Sequence, residues 1–217
     1  MVTSIKNCKG DEAKKQIVEE YDIYPISFVK LLDGQKREGC CGSTLKDVYY
    51  TFSAINKKTK EEESFFVGKS CAEQFLELLK LKKLPLFNPL TDINDKSKSA
   101  TNNDKKDNTK EKIDKVLPIN RELLNAIALL SVIWDSPLRS MRNVCEFSIK
   151  SSKPNENGII WFNEKLKNDS KGRTLTQMCD ELREKYPNFK VYNFDNLRKV
   201  LLKKGVKEED IWDRRQK

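Results

Sequence analysis

Gly39-Cys40-Cys41-Gly42, then Val48-Tyr49-Tyr50-Thr51-Phe52-Ser53-Ala54-Ile55, then Ser64-Phe65-Phe66-Val67-Gly68-Lys69-Ser70-Cys71 are the three runs that decide how the first part of this chain folds. The first is a tight turn, since glycine on both sides lets the backbone reverse around the two thiols. In the second, Val48, Tyr50, Phe52 and Ala54 alternate with Tyr49, Thr51 and Ser53, the period of a half-buried strand. The third returns as a partner strand after the polar tip Asn56 to Glu63, and at Gly68 it turns into a helix. Ser70 is placed to cap that helix, and Phe75, Leu76, Leu78 and Leu79 give it an apolar stripe.

Outward from this hairpin, residues 1 to 10 read as a frayed tail that carries Cys8. Asp11 to Tyr21 reads as a charged helix with Ile17 and Val18 as its apolar anchors. Tyr24 to Leu32 reads as a strand with Pro25 at its start, where a missing N–H is tolerated. Pro85 and Pro89 end the helix after Cys71. From Thr91 to Lys115 the chain is almost wholly Asp, Asn, Lys, Ser and Thr, with Ile93 and Ile113 its only large apolar residues. Such a stretch cannot bury enough surface to fold and is expected to be a flexible tether.

Beyond it the pattern is helical. Asn120 is placed to cap a helix through Trp134, and Ser136-Pro137 to open another through Phe147. Asn155 to Gly158 reads as a turn before a short helix from Ile159 to Leu166. Thr174-Leu175-Thr176-Gln177 matches a capping box, Pro187 stops that helix, Asn193 is placed to cap the next, and Gly205 sits at a helix C-cap position. The expectation is an α+β protein of two domains, residues 1–90 and 116–217, joined by the linker 91–115. Length and composition agree, because 37% hydrophobic and 35% charged residues suit two modest cores with charged surfaces.

Histidine is absent, which excludes His-based acid–base and nucleophilic catalysis and His metal ligands. No apolar run is long enough to span a bilayer and no leader is visible, so a cytoplasmic protein without a membrane partner is expected. In a reducing compartment the six cysteines favour metal over disulfides, and Cys8, Cys40, Cys41 and Cys71 fall together in the first third. A net charge of +9 suits a polyanionic partner. No small-molecule substrate is indicated.

The cysteine turn, hairpin and thiol-bearing helix have the layout of a treble-clef zinc site. They resemble a zinc-knuckle element of small phage and plasmid proteins, Cys-x-x-Cys-Gly, a hairpin, then Val-Gly-x-x-Cys-Ala and a helix. Cys41-Gly42, Val67-Gly68 and Cys71-Ala72 match it. Glu38 stands where the first cysteine is expected, so Cys40 or Cys8 would complete a zinc set with Cys41 and Cys71; otherwise the thiols pack as small apolar groups in a metal-free knuckle. The hairpin also resembles a GIY-YIG nuclease core, with Val48-Tyr49-Tyr50 and Phe66-Val67-Gly68 as the two tripeptides. No arginine follows on the helix where that family carries one. Gly68-Lys69-Ser70 is not a Walker A loop, since the required earlier glycine is Glu63. Lys69 and the helix start could still hold one phosphate of a nucleic acid.

The helices Thr174 to Tyr186 and Asn193 to Lys204 resemble a helix-turn-helix or winged-helix element, with Asn196, Arg198, Lys199 and Lys203 on the outer side of the second. A non-enzymatic DNA-associated protein of phage, plasmid or defence type is the first expectation. A protein-binding adaptor or inhibitor of a nucleic-acid enzyme is the alternative, and a nuclease the third.

Overall fold

The alternating run forms strand β4 (Val48–Asn56), which lies inside a four-stranded sheet of order β5-β4-β1-β6. The computed structural model describes residues 5, 7–91, 116–134 and 140–212. Among these the order is α1 (Asp11–Glu20), β1 (Tyr21–Lys30), β2 (Arg37–Glu38), β3 (Thr44–Leu45), β4, β5 (Glu62–Gly68), α2 (Lys69–Leu78), β6 (Leu86–Phe87), α3 (Pro118–Ile133), α4 (Arg142–Lys150), α5 (Glu156–Leu166), α6 (Leu175–Lys185) and α7 (Asp195–Lys203). Strands β1 and β5 flank β4 antiparallel, β6 joins β1 in parallel, and β2 and β3 form a separate two-stranded ribbon. The fold is α+β.

The chain divides into two compact units, Met1–Asn88 with Ala128–Cys145, and Pro89–Ile127 with Glu146–Lys217. The expected boundaries therefore shift: Ala128–Cys145, assigned by sequence to the second domain, group with the first. The expected linker 91–115 lies, after Thr91, outside the described residues.

In the first unit one sheet face packs Tyr50, Phe52, Ala54, Phe65 and Val67 against Ala72, Phe75 and Leu76 of α2. The rings of Phe52 and Phe75 lie 5.8 Å apart. The half-buried pattern expected of β4 is not observed, because Tyr49 to Ala54 are all buried. The reason is a second cover. Tyr49 donates its hydroxyl to the Ser131 carbonyl, the Ser27 and Ser131 hydroxyls meet at 3.2 Å, and Arg37 donates to the carbonyls of Val132 and Trp134 at 2.9 and 3.2 Å. The end of α3 thus closes the face that the alternation leaves to solvent.

Strand β1 starts at Tyr21, three residues before the expected start, and Pro25 lies inside it. The register against β4 shifts between Pro25 and Ser27, a bulge where a missing donor costs little. Helix α2 starts at Lys69 with Gly68 as its cap residue, so Ser70 lies within the first turn and does not cap. Leu78 points outward, 41% exposed, and drops out of the expected stripe.

In the second unit several local signals take a different role from the one read in sequence. Helix α3 begins at Pro118, the position where a missing N–H is free of cost. Asn120 is then inside the helix and buried: its amide donates to the carbonyls of Ser148 and Lys153 at 3.3 and 3.0 Å and accepts from the Asn155 N–H at 2.8 Å. Asn155 caps α5, accepting from the Gly158 N–H at 2.9 Å, so the expected turn is the first turn of a longer helix. A side chain at position 158 would sit 2.5 Å from the Asn155 amide, which explains the glycine. Ser136-Pro137 lies outside the described residues, and α4 starts at Arg142. Phe194 is the N-cap residue of α7, while Asn193 accepts from the Asp195 N–H beside it.

Two signals form as read. Gly205 has φ of 80° and, with Val206, returns its N–H to the last turn of α7 in a Schellman arrangement. Thr174 and Gln177 exchange both bonds of a capping box at the start of α6. Thr174→Ala is expected to lower stability by about 1 kcal/mol in urea unfolding. An unchanged midpoint would show that the box adds nothing. The buried faces of α6 and α7, Leu175, Met178, Leu197 and Leu201, lie in a unit that also buries Trp212, whose ring meets Phe194 and Phe162 at 5.2 and 5.8 Å.

Candidate metal centre

The turn between β2 and β3 is built by its glycines. Gly39 donates to the Ser43 carbonyl at 2.9 Å, and Gly42, at φ of 75°, donates back to Gly39 at 2.8 Å. A side chain other than glycine is strained at that φ. The Cys40 N–H donates to the Phe66 carbonyl at 2.8 Å, which fastens the turn to β5 next to the start of α2. Cys71 is the third residue of α2, so its thiol lies at the helix N-terminus.

The N-terminal segment completes the cluster. Asn7 and Cys8 both donate N–H groups to the Cys40 carbonyl, at 2.7 and 3.2 Å. Cys8 is fully buried and belongs to the core, not to a frayed tail. The sulfurs of Cys8, Cys41 and Cys71 lie within 4.8 Å of one another. Cys40 is joined to Cys8 by a disulfide, against the expectation that all the thiols are reduced. Three sulfurs from three separate segments therefore meet at one place, with Cys40 bonded to the first of them. Tetrahedral zinc with ~2.3 Å bonds sets its sulfurs ~3.8 Å apart, so the reduced donor set fits zinc.

The local charges fit an anionic cluster. The Ser43 hydroxyl, 3.0 Å from the Cys41 sulfur, holds that thiol below its ordinary range, whereas burial pushes Cys71 up. Close by, Lys14 of α1 is 2% exposed. Its ammonium donates to the Gly10 carbonyl at 3.2 Å and forms no ion pair among the described residues. Its charge reaches Cys71 and favours the thiolate there. A buried ammonium is costly without a compensating negative charge, and a thiolate cluster supplies one. Lys14 and Ser43 escaped the sequence reading. The signal for Lys14 was present, since it precedes Ile17 and Val18 by three and four residues and shares their helix face.

The candidate nucleic-acid residues divide. Lys69 is exposed at the first position of α2. On α7, Asn196 donates its side-chain amide to Glu122 at 2.8 Å, and its N–H donates to the same carboxylate at 3.1 Å. Arg198 is ion-paired to Glu208. Lys199 and Lys203 are exposed one turn apart and form no ion pair among the described residues. Among the described residues the outer face of α7 thus leaves Lys199 and Lys203 outside any ion pair, with its Asn and Arg held by carboxylates of the same unit.

The two tripeptides of the nuclease resemblance lie side by side, Tyr49 opposite Gly68 and Tyr50 opposite Val67. Both tyrosines are buried, at 0% and 1% exposure; Tyr49 is bonded to Ser131, and burial pushes the Tyr50 hydroxyl up to about 12. No helix of the described residues is long and apolar enough to cross a membrane.

No curated protein and no solved structure matches the chain. A family model does, over residues 6–209, a span that takes in the cysteine cluster and all the helices described above: the chain belongs to the family described as uncharacterised conserved protein UCP028583.

Proposed function

We propose that the chain is a non-enzymatic nucleic-acid-associated protein of phage, plasmid or bacterial-defence type, in which Cys8, Cys40, Cys41 and Cys71 hold a structural zinc. The observation that carries this reading is the meeting of the Cys8, Cys41 and Cys71 sulfurs, with Cys40 bonded to Cys8, beside the buried Lys14, which forms no ion pair among the described residues. An all-thiolate set leaves no open position on a tetrahedral metal, so the zinc would serve the fold and not a reaction. It would fasten the N-terminal segment and the cysteine turn to the start of α2. Elemental analysis of protein prepared reduced and without chelator tests this directly, with about one zinc per chain expected. Metal-free protein of unchanged stability would leave a knuckle held by packing alone.

DNA is the proposed partner, met through the exposed cations Lys199 and Lys203 of α7, with Lys69 as a further phosphate contact. Phosphate contacts of this kind release counterions, so affinity should fall steeply with salt. The double substitution Lys199→Ala and Lys203→Ala is expected to weaken binding several-fold and to reduce the salt slope by about 2. Arg198→Ala should do less, because that guanidinium already answers Glu208. Lys171→Ala, exposed before α6, is the charge-matched control. Equal losses in all these variants would mean diffuse attraction with no recognition helix.

A protein partner is the second reading, favoured by Leu202, 45% exposed between the two lysines, and Val191, 82% exposed ahead of α7. Salt-tolerant capture of one protein, lost with Leu202→Glu and kept when the lysines are removed, would replace DNA by an adaptor role.

A further inference from the structure

Cys8 belongs to two arrangements at once. Its sulfur is one of the three that lie within 4.8 Å, and it is also bonded to Cys40. Zinc needs these sulfurs as thiolates, whereas the disulfide needs two of them oxidised. Both cannot hold together at Cys8. The backbone, however, serves either state: Asn7 and Cys8 donate to the Cys40 carbonyl, and Cys40 donates to Phe66. Cys8 and Cys40 are therefore kept side by side whichever bond their sulfurs make. Cys41 and Cys71 have no such brace, since they join the turn to a helix start.

We propose that the cluster is a thiol switch that exchanges zinc for the Cys8–Cys40 disulfide on reaction with a hydroperoxide; this rests on the zinc reading above. Of this pair, Cys40 is only partly buried and Cys8 is closed off, so Cys40 is the one placed to meet the peroxide first. The Cys40 thiolate attacks the terminal peroxide oxygen, the O–O bond breaks, and the departing group, hydroxide when the oxidant is hydrogen peroxide, takes a proton and leaves as water. The Cys40 sulfenic acid is then attacked by the Cys8 thiolate. The S–S bond forms, the S–O bond breaks, and a second hydroxide takes a second proton. Two thiolates lose two electrons, the peroxide gains them, and two protons come from solvent. Zinc loses two of its four proposed ligands and departs as the dication, and the released Cys71 thiolate, whose thiol burial pushes up, takes a further proton from solvent. The oxidised state keeps the N-terminal segment tied to the turn but frees the start of α2, where Lys69 lies.

The test uses the full chain, reduced and zinc-loaded, treated with one equivalent of hydrogen peroxide. A chromogenic chelator reads released zinc, and mass spectrometry after thiol blocking maps the pairing. Loss of most of the zinc, a Cys8–Cys40 linkage, and recovery on dithiothreitol plus zinc are expected. Cys40→Ser, which removes one of the proposed ligands, is read by mass spectrometry alone and should give no disulfide at Cys8 at the same peroxide. Retention of zinc by the wild-type chain, or a Cys41–Cys71 pairing, overturns the switch while leaving the zinc reading intact. Reduced protein that carries no zinc overturns both.

Discussion

Cys71→Ser is expected to remove the zinc almost completely and to lower the melting temperature of the first unit strongly, with the second unit's transition unmoved. The thiol at the start of α2 is the one proposed ligand that would tie the helix to the cysteine turn, since Cys8 and Cys40 are already joined by backbone bonds. Structural zinc in small peptides contributes ~10–16 kcal/mol of apparent binding free energy, comparable with the whole stability of a domain. The first unit has its own apolar core of Phe52, Phe65, Phe75 and neighbours, so a destabilised but folded sheet is expected, not a random coil. Cys145→Ala separates the metal role from mere loss of a buried thiol: burial pushes the Cys145 thiol up to about 12, and its removal should leave zinc content unchanged. Lys14→Met keeps the apolar stem but not the charge, and should weaken zinc retention by about tenfold, the usual effect of losing an outer-shell partner. Cys71→Ser protein that still carries one zinc would exclude Cys71 as a ligand.

What the sequence disclosed was what neighbours in the chain decide. The hairpin was legible because side chains alternate across a strand, and the capping box because Thr174 and Gln177 stand three residues apart. Gly205 was legible from its position after the last apolar residue of α7. The misread signals depend on distant partners. Asn120 looks like a cap until Ser148, Lys153 and Asn155 converge on its amide. The outward direction of Arg198 followed from the apolar stripe, but its ion pair with Glu208 lies beyond the helix. In the cluster, Cys41 and Cys71 were legible from the motif, and Cys8 was reached only as a candidate because nothing local places it. The expected domain boundary moved for the same reason, since no pattern within 116–145 reveals that the carbonyls ending α3 are met by a side chain near residue 37.

That side chain sets the second large effect: Arg37→Ala should destabilise the first unit by about 3 kcal/mol. The guanidinium is 6% exposed and donates to Val132 and Trp134, carbonyls that a helix C-terminus leaves without intrahelical partners. A cation there also answers the negative end of the helix. Removing it takes away charge-assisted bonds of ~1.5–3 kcal/mol each and leaves the acceptors buried, offset in part by the Gln35 amide, which still donates to Val132 at 3.3 Å. Arg37→Lys should recover only part of the loss, because one nitrogen of the guanidinium meets both carbonyls while the other donates to the Lys36 carbonyl, a spread one ammonium does not match. Urea unfolding gives the magnitude, and hydrogen exchange gives the place: amides of 128–133 should exchange faster in Arg37→Ala while those of β4 and β5 follow the global change. If the midpoint stays at the wild-type value, the Tyr49 and Ser27 bonds to Ser131 suffice to hold this helix end, and Arg37 is dispensable for joining Ala128–Cys145 to the first unit.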